Sequence, residues 1–235
     1  MTSVRDRASR ATKSDTKAAT SHSNSTPDPA ILFLHTQLPS YAATPLHDLP
    51  DLAREWGVGH VYLKDESTRF GLPSFKILGA SWAVYRALSE IVGGDDGDGD
   101  AASRSSGPSL EGLKQRIRTR EQRGEARIGL VTASAGNWGR AVARMGRLLG
   151  VRVLVLVPGS TGDETVDAIA SEGEGSDEVE VRRLDRDYDG CLDLARRKGD
   201  EAEWTLVMDA SWEGYERIPQ VRQPTYPDNP RTQTS

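Results

Sequence analysis

The fold is decided by residues 128–157, which read IGLVTASAGNWGRAVARMGRLLGVRVLVLV. Ile128–Thr132 is an apolar run of strand length, and Trp138–Leu149 has the apolar spacing of a helix that ends at Gly150. Val151–Val157 alternates little and is rich in Val and Leu, which is typical of a strand covered on both faces. The stretch therefore predicts a strand, a crossover helix and a second, parallel strand.

The same alternation continues after this unit. The pattern predicts helices at Asp163–Ser171 and Tyr188–Lys198, and extended segments at Val179–Leu184 and Trp204–Met208. Strands that alternate with helices indicate right-handed βαβ units in a parallel sheet. We therefore predict an α/β protein with parallel sheets and flanking helices, in which residues 128–210 form a βαβ sub-domain.

Before this sub-domain the periodicity is weaker. Residues 31–50 are apolar without a clear period, whereas Asp51–Trp56 predicts a short helix and Val58–Leu63 predicts a strand. A helix is predicted from Ser74, and a weakly amphipathic one between Leu110 and Gly124. The helix from Ser74 has a buried stripe at three- and four-residue steps: Phe75, Leu78, Trp82, Tyr85 and Leu88.

Composition divides the 235 residues into a folded part and segments without core residues. Residues 1–29 are rich in Ser, Thr, Ala, Arg and Lys, and residues 93–109 contain a low-complexity run of Gly, Asp, Ser and Ala. Residues 220–235 lack a periodic apolar face. Such segments bury too little apolar surface to offset their ordering entropy. We predict disordered tails at both ends, a mobile insertion, and a folded domain over residues 30–219.

Charge and cysteine content argue against several classes of protein. The net charge is −5 and no basic stripe recurs with aromatics, so we expect no nucleic-acid surface. No apolar run approaches the roughly 20 residues that cross a bilayer, so we expect no membrane partner. The four histidines have no ligand spacing with cysteine or carboxylates, so no metal site is expected.

The single cysteine, Cys191, lies among leucines in a helical pattern, which predicts a buried structural thiol rather than a nucleophile. One cysteine cannot form an intrachain disulfide, and a reducing compartment fits. We expect a cytoplasmic protein. The basic, Ser-rich start of the chain gives a mitochondrial transit peptide as the alternative.

Lys76 is the first candidate for chemistry, because it opens the helix with the apolar stripe. The helix macrodipole disfavours a cation at this end, and a neutral amine is what Schiff-base chemistry with an aldehyde requires. A surface lysine in a first helical turn is the ordinary alternative.

The turn Ser134-Ala135-Gly136-Asn137 is the second candidate, because it follows a predicted parallel strand. Open α/β sheets bind ligands at the carboxyl ends of their strands. Gly139, Ala143 and Gly146 also lay a strip of small residues along the next helix, where another backbone or a ligand can approach closely. The structural alternative is that Asn137 caps the helix.

Two further strand ends carry polar residues. Residues 159–162 form a Gly-Ser-Thr-Gly turn, but Asp163 and Glu164 would repel a phosphate and suit a helix start instead. Neither a phosphate-binding Gly-Lys-Ser/Thr ending nor a Gly-x-Gly-x-x-Gly dinucleotide fingerprint is present, so a nucleotide-binding module has no support. Asp209 follows the last strand, where it can contact substrate or act as a structural cap.

Taken together, these segments resemble the pyridoxal phosphate (PLP) enzymes with the tryptophan synthase β-chain fold, and within them the diaminopropionate ammonia-lyases. The resemblance covers about residues 31–219. It is carried by Tyr62–Ser67, Arg69–Leu72, Ser74–Lys76, Ala133–Arg140, Asp187–Asp189 and Asp209–Tyr215.

The resemblance implies a role for each candidate residue. Lys76 would bind pyridoxal 5'-phosphate as a Schiff base and then take the α-proton of a small amino-acid substrate, with a β-substituent leaving as ammonia. Asn137 would hydrogen-bond the ring hydroxyl, with Phe75 and Gly136 also against the cofactor. The resemblance further implies that Ser134 and Ala135 contact the substrate, that Asp209 serves the substrate amine, and that the full-length enzyme can form a homodimer.

The sequence departs from the ammonia-lyases at two points. Ala135 stands where those enzymes carry an acidic residue before the Gly-Asn pair, which argues against activity on D-diaminopropionate. Family members also continue with a second half that holds a Gly-rich phosphate cup. Here the dense glycine run, Gly93–Gly99, contains three aspartates that would repel phosphate. The alternative is therefore a catalytically silent remnant of this fold that acts as a binding or interaction module.

Overall fold

A computed structural model describes residues 29–93, 108–174, 176–216 and 218. The predicted tails before Pro29 and after residue 219, and the interior of the predicted insertion, lie outside these ranges. The helices are α1 (Pro29–Thr36), α2 (Pro50–Trp56), α3 (Lys76–Val92), α4 (Leu110–Gln122), α5 (Asn137–Leu149), α6 (Asp163–Ser171) and α7 (Tyr188–Gly199). The strands are β1 (Leu46–Asp48), β2 (Tyr62–Lys64), β3 (Gly129–Ala133), β4 (Arg152–Pro158), β5 (Val179–Leu184) and β6 (Trp204–Leu206).

The larger sheet of the described residues is parallel, with the strand order β5-β4-β3-β6. Its register pairs Gly129 with Arg152 on one side of β3 and with Trp204 on the other. Every residue of β3 is buried, as is β4 from Val153 onward, so both faces of the centre are covered. The predicted α/β class with a parallel sheet and flanking helices is confirmed.

Alternate residues of the central strands enter two separate cores. Leu130 and Val155 pack in the core that contains the buried faces of α3 and α5. Their neighbours Val131 and Leu154 pack on the other face, where Cys191 and the rest of the buried side of α7 lie. Cys191 is fully buried, so the expectation of a buried thiol is confirmed.

The small-residue strip of α5 serves backbone packing. A Cβ added at Gly146 would lie 2.0 Å from a methyl group of Val153, and one added at Gly139 would lie 3.0 Å from Val155. Helix α5 therefore sits directly on β4. The sequence left open whether a backbone or a ligand approaches this strip. The structure shows that strand β4 does.

The segment before the parallel sheet was predicted less well. The predicted strand at Val58–Leu63 was wrong in extent, since β2 begins at Tyr62 and pairs antiparallel with β1. Strands of three residues contain too little alternation to be recognised in a sequence. Helix α1 was also missed, although Ile31, Leu34 and His35 are buried and the His35 ring Nε2 lies 3.0 Å from the Leu78 carbonyl oxygen.

The described ranges contain neither a membrane-spanning helix nor a group of metal-binding side chains. None of their helices is long and apolar enough to cross a bilayer. Among the same residues, no group of histidine, cysteine and carboxylate side chains is arranged to hold a metal ion.

Candidate functional site

Lys76 is the first residue of α3, two residues after the predicted helix start at Ser74, so Phe75 precedes the helix and is not part of its buried stripe. The chain reaches it through Phe70 and Gly71, which both have positive φ, 50° and 69°. The buried Ser74 hydroxyl then accepts a hydrogen bond from the Lys76 backbone N–H at 3.2 Å, which satisfies one of the free donors of the helix start. The helix therefore begins with a lysine whose backbone is fixed by a buried side chain.

The Lys76 ammonium group forms an ion pair and hydrogen bond with the Asp209 carboxylate, although 133 residues separate them. The two side chains are 36% and 27% exposed, so a small molecule can reach both. The Phe75 ring lies 5.7 Å from the Lys76 Nζ and is itself half exposed. The three residues form an accessible cluster of one amine, one carboxylate and one aromatic ring.

The turn after β3 is held by Ser134. Its Oγ accepts hydrogen bonds from the backbone N–H groups of Gly136, at 3.3 Å, and Gly139, at 2.8 Å. Asn137 is already the first residue of α5, and Gly136 occupies the cap position. The capping alternative for Asn137 was therefore wrong, because the hydroxyl of Ser134, three residues earlier, accepts these hydrogen bonds. Ala135 and Asn137 are exposed at the same turn.

The lysine and the turn lie at the same edge of the sheet. A methyl group added at Gly79 would touch the Trp138 ring at 4.0 Å, so the first turns of α3 and α5 are in contact. The Trp138 Nε1–H donates to the Thr132 hydroxyl and to the Val207 carbonyl, each at 3.2 Å. These partners lie at the carboxyl ends of β3 and β6, where Asp209 also lies.

This edge has features that fit an aldehyde cofactor with a flat ring. At Gly136 an added Cβ would meet no atom within 4 Å, so open space lies beside the backbone. Among the described residues, no hydrogen bond to the exposed Asn137 amide is found, and this amide can therefore serve a ligand. Lys76 supplies an accessible amine. The candidate residues thus present an amine at Lys76, an aromatic ring at Phe75, open space at Gly136 and an amide at Asn137.

Two tyrosines near Asp209 were given no role from the sequence. Burial raises the pKa of the Tyr188 phenol, and the Asp209 and Asp189 carboxylates raise it further. The Tyr215 hydroxyl hydrogen-bonds the backbone on either side of Val207. The position of Tyr188 at the start of α7, directly after a parallel strand, is the sequence signal that places it at this edge.

The turn at residues 159–162 has a structural role, as its sequence indicates. Gly162 caps α6, and Asp163 and Glu164 lie in the first helical turn. The Asp163 carboxylate accepts a hydrogen bond from Arg183 at 2.6 Å. The negative charge of this helix start opposes an anion, so the turn is unsuited to phosphate.

Known proteins resemble this chain in sequence and in structure. Residues 38–220 match the family described as pyridoxal-phosphate dependent enzyme. The chain is 34% identical over 207 residues to a diaminopropionate ammonia-lyase of Salmonella typhimurium and 35% identical over 185 residues to one of Escherichia coli. The crystal structure of the apo Escherichia coli diaminopropionate ammonia-lyase superposes with a TM-score of 0.66 at 32% identity.

The chain spans about half the length of these relatives. The match to the Salmonella typhimurium protein covers 88% of this chain and 47% of the relative, and the match to the apo crystal structure covers 81% and 46%. The match to the Escherichia coli sequence covers 79% of this chain and 41% of that protein.

Proposed function

Because this chain belongs to the family of pyridoxal-phosphate-dependent enzymes, we propose that it contributes the lysine-bearing half of an ammonia-lyase. The substrate class is a small amino acid such as 2,3-diaminopropionate, and the products are pyruvate and ammonia. The observation that carries the proposal is the ion pair between Lys76 and Asp209 beside the turn at residues 134–137. The similarity to diaminopropionate ammonia-lyases supports the choice of reaction.

In this function Lys76 and Asp209 handle protons. Lys76 would hold the cofactor through Nζ, and its free amine would accept the proton from the substrate α-carbon. Asp209, in hydrogen-bond contact with that nitrogen, balances its charge in the protonated state and exchanges protons with it. When bound, the cofactor supplies a carbonyl for the substrate amine and a ring that takes up the electrons of the α-carbon.

Neighbouring residues orient the ring and exclude water. Asn137 would donate its amide N–H to the ring hydroxyl oxygen, and the open space beside Gly136 would admit the ring edge. The Phe75 ring covers one side of the lysine nitrogen. Ser134 holds the turn that carries these groups through its two backbone hydrogen bonds, and Ser134 and Ala135 would border the substrate.

Ala135 limits the range of substrates. Its methyl group is exposed at the turn and exchanges no proton, so the α-proton is left to Lys76. We expect L-2,3-diaminopropionate to react faster than the D-form. The single buried thiol suits a reducing compartment, the cytoplasm, and assembly of the complete enzyme as a homodimer belongs to the same proposal.

The test is release of pyruvate from both enantiomers by the protein supplied with pyridoxal phosphate. Lys76→Ala should abolish release, whereas Lys114→Ala, which removes a partly exposed lysine of α4, should leave it unchanged. Ala135→Asp should increase release from the D-form. Equal activity of Lys76→Ala and the unaltered protein would contradict the proposal.

A second candidate is a catalytically silent module of this fold that binds a partner. The observation that favours it is the share of the relatives, 47% and 41%, that the chain matches. Under this alternative the protein takes up pyridoxal phosphate at Lys76 or not at all, and in either case forms no pyruvate. The same assay therefore separates the two candidates.

A further inference from the structure

The chain after β6 folds back on that strand as a short loop, residues 209–216, which we call the return loop. Within it, Trp212 and Tyr215 exchange backbone hydrogen bonds with N–O distances of 3.4 and 2.8 Å. Their rings stack with centroids 4.3 Å apart, and Gly214 between them has φ of 85°, which a glycine adopts without strain. The return loop is thus a tight turn that presents two stacked rings.

The Tyr215 hydroxyl binds the open edge of β6. It accepts a hydrogen bond from the Met208 N–H at 2.8 Å and donates one to the Leu206 carbonyl at 3.0 Å. The intervening Val207 N–H points the other way, to Val131 of β3 at 2.9 Å. Strand β6 lies at the edge of the described sheet. The Tyr215 phenol therefore provides the hydrogen bonds to the Leu206 carbonyl and the Met208 N–H that a neighbouring strand would otherwise make.

The protonation state of Tyr215 suits this role. Burial raises the pKa of the phenol and the nearby Asp209 carboxylate raises it further, while the Met208 N–H acts in the opposite direction. The hydroxyl therefore stays protonated and remains a donor to Leu206 across the working pH range.

The return loop is also anchored to α7. The Arg196 guanidinium lies 4.0 Å from the centroid of the Trp212 ring, close enough for a cation–π contact. Trp212 is therefore held between Arg196 and the Tyr215 ring. The return loop is fixed to α7 through Trp212 and to the end of β6 through Tyr215. Asp209 is the first residue of this loop.

We propose that Tyr215 is a positioning residue, which acts through the Met208–Asp209 peptide to hold the Asp209 carboxylate against the Lys76 amine. Asp209 has left the strand and its side chain is partly exposed. A partly exposed ion pair contributes little free energy when both of its side chains must first be ordered. A fixed backbone at Asp209 reduces this ordering cost and therefore strengthens the pair. The catalytic meaning of this role rests on the proposed function, but the coupling itself is a property of the protein without cofactor.

The test is competitive labelling of lysines with trace acetic anhydride, measured peptide by peptide relative to Lys198 and without cofactor. Tyr215→Phe keeps the stacked ring and removes both hydrogen bonds. Labelling of Lys76 should rise about two- to fivefold, the range expected when a partly exposed ion pair is lost. Asp209→Asn should raise it at least as much.

The double variant separates positioning from general loosening. If Tyr215 acts through Asp209, adding Tyr215→Phe to Asp209→Asn should change Lys76 labelling no further. The matched control is Tyr85→Phe, which removes another buried phenol that accepts a backbone hydrogen bond, from Ser109 at 3.2 Å. It should lower stability and leave Lys76 labelling unchanged.

Gly214→Ala provides a second, independent perturbation, because it strains the turn that carries Tyr215 while keeping the phenol. It should raise Lys76 labelling in the same direction. Unchanged labelling of Lys76 in both Tyr215→Phe and Gly214→Ala would overturn the proposal. The proposal would also be overturned if Tyr215→Phe raised Lys76 labelling equally in the unaltered protein and in Asp209→Asn. If Tyr215→Phe acts only when Asp209 is present, but the protein forms no pyruvate, the proposed function is wrong and the positioning role of Tyr215 is supported.

Discussion

Protonation of His35 should destabilise the protein in a defined pH window. The ring is 3% exposed between α1 and α3, and its Nε2–H donates to the Leu78 carbonyl at 3.0 Å. Burial lowers the pKa of His35 from 6.5 to about 4, and the charge of Arg69 lowers it further, whereas the hydrogen bond to Leu78 acts in the opposite direction. The folded protein therefore holds this ring neutral where the unfolded chain protonates it.

The sign and size follow from this difference. Between pH 6.5 and about 4 the unfolded chain binds more protons at this position, so the free energy of unfolding falls as the pH falls. Each tenfold change in proton affinity is worth about 1.4 kcal/mol, which gives a loss of about 3 kcal/mol over the window. Above pH 6.5 this contribution is complete and constant.

The assay is urea unfolding between pH 7 and pH 4 for the unaltered protein and for His35→Gln, whose amide can still donate to Leu78. Carboxylates that titrate in the same range affect both proteins equally, so the difference between the two pH curves isolates the histidine. We expect the unaltered protein to lose up to about 3 kcal/mol more than the variant. Parallel curves would show that the folded protein does not lower the pKa of His35.

Three further perturbations test the packing. Glu172→Gln should cost about 3–5 kcal/mol in urea unfolding, because this buried carboxylate binds two arginines of α5 at 2.7 Å, whereas Glu180→Gln, in an exposed pair, should cost below about 1 kcal/mol. Gly146→Ala should lower stability by about 1–3 kcal/mol through its overlap with β4, whereas Gly79→Ala, with 4.0 Å of clearance, should raise it by up to about 1 kcal/mol. The Cys191 thiol, whose pKa burial raises, should react with a disulfide reagent only as fast as the protein opens, and rapid reaction in the folded state would contradict its burial.

The sequence was most informative where local pattern and burial agree. The apolar runs of β3 and β4 and the glycine stop at Gly150, which has φ of 73°, identified the βαβ unit almost to the residue. The same periodicity predicted α3, although the helix begins at Lys76, two residues after the predicted start at Ser74. These elements are encoded by neighbours along the chain.

The site could be predicted in its parts but not in its contacts. No local pattern links Lys76 to Asp209, because their contact depends on how α3 packs on the sheet. Ser134, rather than Asn137, holds the turn. Its hydroxyl accepts hydrogen bonds from Gly136 and Gly139, and these contacts depend on the backbone path from Ser134 to Gly139, which the sequence pattern does not give. Strand β1 was missed and β2 was predicted with the wrong extent, because three residues carry no measurable period.

Peptide mapping can show whether Lys76 is the residue that binds the cofactor. The protein is incubated with pyridoxal phosphate, reduced with borohydride and digested, and the phosphopyridoxyl group is located by mass spectrometry. We expect the label on Lys76 and its loss in Lys76→Ala. A label spread over Lys64, Lys114 and Lys198 without preference for Lys76 would contradict this expectation.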